Sequence, residues 1–113
     1  MYDLEERTAI FSLNTRAFVR KLPKTISNIE DVKQLVRFSG SPAANYIEAN
    51  ESLSKKDFLH RIKICRKESK ESALWLRLVY TGNNQTLDQE RAVLRQEAVE
   101  LTKIFGAIIE KSK

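Results

Sequence analysis

The sequence predicts an all-α, up-and-down antiparallel four-helix bundle, formed by a single domain that spans residues 1–113. Four segments carry apolar residues at spacings of three and four, the period of a helix buried on one side. Short turn-forming stretches join these segments, which favours antiparallel neighbours. The chain has only 3 glycines and 2 prolines, which is too few for a loop-rich or all-β protein.

The first helical segment runs from about Leu4 to Leu22. Asp3 is placed to cap its start, and Pro23 ends it because the residue before a proline disfavours helical geometry. The stripe at helical spacing consists of Leu4, Thr8, Phe11, Thr15, Phe18 and Leu22.

The second segment starts after Lys24, and either Ser27 or Asn28 can cap it. Pro42 lacks a backbone donor and clashes with the preceding turn, so the sequence predicts a kink or two short helices at this point. Because the apolar phase continues across the proline, we expect one kinked helix that ends near Asn50.

The third segment begins after Ser54, with Asp57 as a capping partner, and runs to about Tyr80. Residues 81–84 read Thr-Gly-Asn-Asn, which is the clearest turn signal in the chain. The fourth segment covers about residues 86–110, and its heptad spacing predicts a bundle seam. This seam contains Leu87, Leu94, Leu101 and Ile108, with Ala98, Ile104 and Phe105 beside them.

The composition limits the function classes. The chain has 20 Lys and Arg against 15 Asp and Glu, giving a net charge of +5, which fits either a modest cationic bias or a polyanionic partner. A single cysteine excludes an intrachain disulfide and fits a reducing cytoplasm. No apolar run approaches the roughly 20 residues of a membrane span, and the amino terminus lacks a signal-peptide pattern, so we expect a cytoplasmic protein with no membrane partner.

The third helix divides into three stripes when it is projected at about 100° per residue. The core stripe contains Phe58, Ile62, Cys65, Ser69, Ser72, Leu76 and Val79. The basic stripe contains Lys56, Lys63, Arg66, Lys70 and Arg77, with Lys55 and Lys67 at its margins. It is either a solvated face near acids of a neighbouring helix or a surface for a phosphate backbone, to which the first helix would add Arg16, Arg20 and Lys21. No aromatic residue lies among these cations to stack bases, so we expect any nucleic-acid binding to be backbone-directed and salt-sensitive.

The third stripe mixes apolar and acidic residues: Ile64, Glu68, Glu71, Trp75 and Leu78. Its carboxylates either lie in water at the rim of the bundle or meet donors across a subunit interface. Because tryptophan is enriched in interface cores, Trp75 favours the interface. Asn45 and Glu48 are either surface residues or part of a polar network to a neighbouring helix or subunit.

The residues offer no catalytic constellation. His60 is the only histidine, and the cations beside it would repel a metal ion, so we expect a surface residue. Cys65 lies on the core stripe, which predicts an inert buried thiol. We therefore expect no enzyme activity, no metal and no cofactor.

Several phrases together resemble a family of four-helix-bundle proteins that are often encoded within intervening sequences of bacterial large-subunit ribosomal RNA genes. The resemblance spans essentially the whole chain. Its motif falls on Ser39, Gly40, Ser41, Asn45, Glu48, Ser54, Asp57, Phe58, Glu68, Glu71 and Leu76. Pro42 departs from the family, which more often has a β-branched or similar residue there, and Ala49-Asn50 stands where a glycine usually follows Glu48.

That family is similar to the accessory variability proteins of diversity-generating retroelements, which are basic, barrel-shaped homopentamers that bind nucleic acid and a reverse transcriptase. The resemblance implies a homopentamer that binds RNA or DNA and supports the third stripe as its subunit interface. The alternative function is a protein-interaction scaffold, or an accessory subunit of a polymerase or reverse transcriptase, without direct nucleic-acid binding.

Overall fold

Four antiparallel helices form the bundle, as the sequence predicts. The computed structural model of the protein describes residues 3–113. Each helix packs on two neighbours, so that α1 lies diagonally across from α3, and α2 from α4. The helices are α1 (Leu4–Val19), α2 (Ile26–Asn50), α3 (Lys55–Leu78) and α4 (Gln85–Lys111).

Polar side chains begin the helices at defined positions. Asp3, Thr25 and Ser54 each accept a hydrogen bond from the backbone N–H three residues later, at 2.8, 3.1 and 3.1 Å. Such a bond satisfies one of the N–H groups that have no partner inside the helix. The caps at Asp3 and Ser54 are confirmed, whereas the expectation of Ser27 or Asn28 is wrong, because Thr25 begins α2.

Pro42 does not divide α2, which runs without interruption from Ile26 to Asn50. Of the two expectations for this segment, the one of two short helices is therefore wrong. Pro42 is buried, and its carbonyl oxygen lies 3.5 Å from the Sγ donor of Cys65 on α3. Packing against neighbouring helices thus holds a residue that an isolated helix would reject.

The apolar stripes meet in one core at the centre of the bundle. The core includes Phe11, Phe18, Leu35, Ile62, Leu76, Leu101 and Phe105. On α4 the buried position near the end is Ile109, while Ile108 is only half-buried. A straight helix drifts by about 20° per heptad, so a strict seven-residue repeat leaves the core after a few turns. Among residues 3–113, no helix has both the length and the apolarity to cross a membrane.

One end of the bundle, which we call the closed end (residues 20–28 and 79–88), is held by bonds between different loops. Asn28 is buried, and its Nδ2 donates to the carbonyl oxygens of Pro23 and Tyr80, both at 2.8 Å. Its Oδ1 accepts from the Tyr80 backbone N–H, also at 2.8 Å. Arg91 Nη1 donates to the Val79 carbonyl at 2.6 Å and so provides a hydrogen-bond partner at the end of α3. Side chains thus join the α1–α2 connection to the α3–α4 connection.

The other end, which we call the open end (residues 48–57), contains the connection between α2 and α3. Its bonds are mostly local: the Ser52 backbone N–H donates to the Ala49 carbonyl, and Ser52 Oγ donates to the Glu48 carbonyl. Leu53 is 100% exposed. One longer link, from Asn50 Nδ2 to Glu5 Oε2 at 3.0 Å, ties this end to the start of α1.

Candidate nucleic-acid interface

The basic stripe of α3 lies on the outside of the bundle. Its seven cations are all exposed: Lys55, Lys56, Lys63, Arg66, Lys67, Lys70 and Arg77. Within residues 3–113, none of their side chains takes part in a salt bridge or a hydrogen bond. At about 1.5 Å per residue, the stripe extends over roughly 33 Å on one rigid helix. The solvated-face interpretation, in which acids of a neighbouring helix balance these charges, finds no such pair in the described chain.

The cations predicted at the first helix lie elsewhere: Arg16 is on α1, and Arg20 and Lys21 directly follow it. Because α1 is diagonal to α3, the two sets do not form one continuous surface. Lys21 Nζ pairs with Glu90 Oε1 on α4 at 2.6 Å. Arg16 donates to Ser12 Oγ on its own helix, and an added Cβ at Gly40 of α2 would lie 3.4 Å from its guanidinium. Of these three cations predicted to bind nucleic acid, Arg20 alone is exposed without a side-chain partner among the described residues.

Arg66 carries the basic stripe toward α4. An added Cβ at Gly106 would lie 3.7 Å from Arg66 Nε, so the arginine stem rests beside a helix position that has no side chain. This contact keeps the guanidinium exposed while its stem packs on the neighbouring helix. The basic surface therefore extends from α3 to the edge of α4.

The third stripe follows the seam between α3 and α2. Trp75 stacks on Phe38 of α2, with ring centroids 6.4 Å apart and an angle of 12° between the rings, and its buried Nε1 finds no acceptor among the described residues. Ile64 is half-buried. The indole thus packs within the chain and the isoleucine is partly covered, while Leu78 remains 51% exposed.

Two carboxylates lie between these apolar residues. Glu68 and Glu71 are half-buried, and in the part of the chain that the structure describes neither side chain takes part in an ion pair or a hydrogen bond. A half-buried carboxylate gains from any donor that reaches it. They are the acidic groups of this seam that a second molecule could still pair.

Asn45 takes part in a network inside the chain. Its Oδ1 accepts from Arg61 Nη1 at 3.0 Å, which links α2 to α3, and its Nδ2 donates to Ser41 Oγ at 2.9 Å. Arg61 is therefore engaged with α2 and does not join the basic stripe. Glu48, the other residue predicted for this network, is exposed at the open end.

The two candidates for chemistry differ in access. Cys65 is fully buried, and burial raises the pKa of its thiol to about 12, so the reactive thiolate is disfavoured. His60 is exposed. Among residues 3–113, no group of three or more His, Cys, Asp or Glu side chains is placed to hold a metal ion.

Sequence reasoning missed a depression at the start of α3. Leu59 and His60 line it together with three of the predicted cations, Lys55, Lys56 and Lys63. The signal was present in the helical projection, because residues 55, 59 and 63 are spaced by four and share a face. The sequence gives no direct sign of the depression at Leu59, because an apolar residue between lysines is not a typical ligand of an anion.

This chain is similar in fold to a protein of known structure. No family model matches this sequence, and no curated protein matches it. The structure matches a 1.70 Å crystal structure of a protein of unknown function from the S23 ribosomal protein family of Bacteroides thetaiotaomicron VPI-5482, with a TM-score of 0.81. The two chains are 22% identical, and the match covers 95% of this chain and 98% of that chain. At this identity the likeness shows a shared four-helix fold, and function has to be argued from the surface.

Proposed function

We propose that this chain is a basic, non-enzymatic homo-oligomer that binds RNA or DNA through the cations of α3. The observation that carries the proposal is the row of seven exposed α3 cations without ion pairs in the described chain. Cations that are paired inside a protein have little to gain from a phosphate, whereas solvated ones release counterions from a nucleic acid when they bind it. The row therefore supports a polyanionic partner.

The geometry supports contacts to the phosphate backbone rather than to bases. Of the two large aromatic residues on α3, Phe58 packs against the core and Trp75 is stacked on Phe38, and neither lies on the basic stripe. With no Phe, Tyr or Trp ring on the basic stripe, bases contribute little, and binding energy comes mainly from charge. The proposed binding is accordingly weakly specific and strongly dependent on salt.

The proposal includes assembly into a homopentamer. The family resemblance implies this subunit number, and the unpaired carboxylates of Glu68 and Glu71 beside the exposed Leu78 support the α2–α3 seam as one side of the interface. A closed ring needs heterologous patches, and mixed apolar and charged surfaces are suited to them. Several copies, each with a net charge of +5, would also raise the positive field that attracts a polyanion.

A charge-reversal variant of α3 tests nucleic-acid binding. We expect Lys63→Glu, Arg66→Glu and Lys70→Glu together to weaken binding to duplex DNA and RNA by about ten- to a hundredfold at low salt. The slope of log affinity against log salt should become shallower by roughly two to three, because about one fewer counterion is released for each phosphate contact that is lost. Fluorescence anisotropy titrations measure both quantities.

The matched control reverses three exposed cations outside the α3 stripe: Lys24, Lys33 and Lys111. It changes the net charge by the same amount, so it separates a localised binding surface from a general field effect. Equal losses in both variants would contradict the assignment of the α3 stripe. A protein that oligomerises but binds no nucleic acid would favour the scaffold function, as an accessory to a polymerase or reverse transcriptase.

Carboxylate variants test the assembly. We expect Glu68→Ala or Glu71→Ala to shift the oligomer toward smaller species on dilution while the helical circular-dichroism signal is kept, because the charged partner groups lie on another subunit. Light scattering on a size-exclusion column measures the mass. Glu30→Ala is the control, since Glu30 is exposed on α2 and pairs only with Lys33 among the described residues. An unchanged mass for both seam variants at all dilutions would remove these carboxylates from the interface.

A further inference from the structure

The basic stripe of α3 starts in a concave site. The site is lined by Lys55, Lys56, Leu59, His60 and Lys63 and has a volume of about 480 Å³. Three lysines share this depression, and no acidic side chain from residues 3–113 lines it. Among the residues that the structure describes, none of the three lysines has an ion-pair partner.

Lysine side chains supply positive charge here. The Asp57 backbone N–H donates to Ser54 Oγ at 3.1 Å, and the Phe58 backbone N–H donates to the Ser54 carbonyl at 3.0 Å. Ser54 thus occupies two of the backbone donors at the start of α3. The three lysine ammonium groups are the charged donors available to an anion in the depression.

A neighbouring depression carries the opposite charge. It has a volume of about 350 Å³ and includes Glu48, Glu51 and Asp57, and it shares His60 with the basic site. The one arginine in its lining, Arg61, is bonded to Asn45 of α2. A polyanion that follows the cations of α3 toward the open end thus meets three carboxylates where the lysines stop. Like charges placed together in this way disfavour further contact.

We propose that the basic depression binds the terminal phosphate of a nucleic-acid strand whose backbone lies along α3. A phosphate monoester carries about −1.5 to −2 charges at neutral pH and three strong acceptor oxygens, whereas a diester within the strand carries a single charge. Three lysines match the extra charge, because ammonium groups bind phosphate as point charges. The acidic depression makes the open end the place where the strand stops.

This inference rests on the proposed function and adds to it the chemical group that is recognised. It also predicts a direction: the strand end lies at Lys55 and Lys56, and the strand continues toward Arg77. A surface that merely neutralised phosphates would bind a strand anywhere along its length and would be indifferent to its ends.

The test compares internally labelled duplexes of about 20 base pairs, roughly twice the length that α3 spans, in DNA and in RNA. They have one sequence and carry a 5′-phosphate, a 3′-phosphate or only hydroxyl groups at their ends. In anisotropy titrations of the full chain at low salt, we expect one phosphorylated end to bind about five- to tenfold more tightly than the hydroxyl end. The preferred end identifies the strand polarity along α3.

Two matched variants locate the effect. Lys56→Gln with Lys63→Gln removes two charges from the depression and should abolish the preference for a phosphorylated end. Lys67→Gln with Lys70→Gln removes two charges outside it and should weaken all duplexes equally while the preference remains. If both variants retain the preference, the terminal phosphate is bound elsewhere and the inference is wrong.

The outcomes for the two proposals are distinguishable. Duplexes that bind with the same affinity whatever their ends overturn the inference and leave the proposed function in place, whereas the absence of any binding overturns both. Inorganic phosphate at matched ionic strength separates a strand end from a free ion: it should remove the advantage of the phosphorylated end and leave the hydroxyl duplex unaffected. A depression that binds inorganic phosphate without any end preference is a free-anion site, and this result also overturns the inference.

Discussion

At the closed end of the bundle, buried Asn28 bonds to both connecting loops, and Arg91 bonds to the end of α3. At the open end, the α2–α3 connection makes mainly local bonds and leaves Leu53 fully exposed. The closed end joins parts of the chain that are 52 residues apart, from Asn28 to Tyr80. The open end instead places an acidic depression beside a basic one.

The closed end stabilises the fold, whereas the open end leaves its surface available for binding. Bonds between distant segments fix the relative position of helices, so changes there affect the whole fold. Exposed charges at the first turns of α3 add little to stability, because solvent screens them. The open end can therefore carry a binding surface whose residues change without loss of the fold.

The largest expected effect is at the closed end. Asn28→Ala removes three hydrogen bonds and leaves the Tyr80 backbone N–H and two carbonyl oxygens without their side-chain partner. Because buried polar groups without partners are costly, we expect the free energy of unfolding to fall by about 2–4 kcal/mol. Urea denaturation followed by circular dichroism measures the loss.

Asn14→Ala is the control for that measurement. Asn14 is exposed on α1, and no hydrogen bond of its side chain is found among residues 3–113. Alanine is the better helix former, so the control should change stability by no more than about 0.5 kcal/mol. A similar, small loss in both variants would mean that the closed end is not a principal source of stability.

Most of the fold could be predicted from the sequence, because helix period and cap chemistry are local properties. The caps at Asp3 and Ser54 and the end of α2 at Asn50 followed from neighbouring residues. Asn28 could not be assigned in the same way. Its partner Tyr80 is remote in sequence, and a buried asparagine near a helix start looks like a cap until the two loops are brought together.

The candidate site was predictable only where it depends on the period of a single helix. The basic stripe of α3 follows from the projection of a single helix. Whether Lys21 faces the same side depends on which helix is its neighbour, and the structure places it against Glu90 on α4. Similarly, the sequence does not show that the ring of Trp75 stacks on Phe38. Periodicity identifies the residues of one face, while packing determines what that face meets.

A smaller effect on stability is expected at mid-bundle, where the buried thiol of Cys65 makes the free energy of unfolding depend on pH. Burial raises the thiol pKa from 9.0 to about 12. The unfolded chain ionises above about pH 9 while the folded thiol stays protonated, so this stabilising contribution is complete below pH 9 and is lost as the pH rises toward 12. We expect a loss of about 1.4 kcal/mol at pH 10, measured by urea denaturation as a difference from Cys65→Ala.

The same thiol reports local opening. With a disulfide reagent at neutral pH, we expect labelling of Cys65 only as fast as the whole bundle unfolds, because the side chain is fully buried. Labelling much faster than global unfolding would show that opening at the α2–α3 connection reaches the middle of α3. In that case the two ends would differ in dynamics as well as in bonding.

The smallest effect is expected for the exposed leucine of the open end. Leu53→Ala removes a side chain that is 100% exposed, so no buried contact is lost and stability should change by no more than about 0.5 kcal/mol. Leu22→Ala is the matched change at the closed end, where the leucine belongs to the core, and it should cost about 2–4 kcal/mol. Urea denaturation of both variants over a range of protein concentrations measures the contrast. A loss for Leu53→Ala that grows as the protein is concentrated would show that the oligomer covers this leucine, and the open end would then be an assembly surface rather than a free edge beside the basic depression.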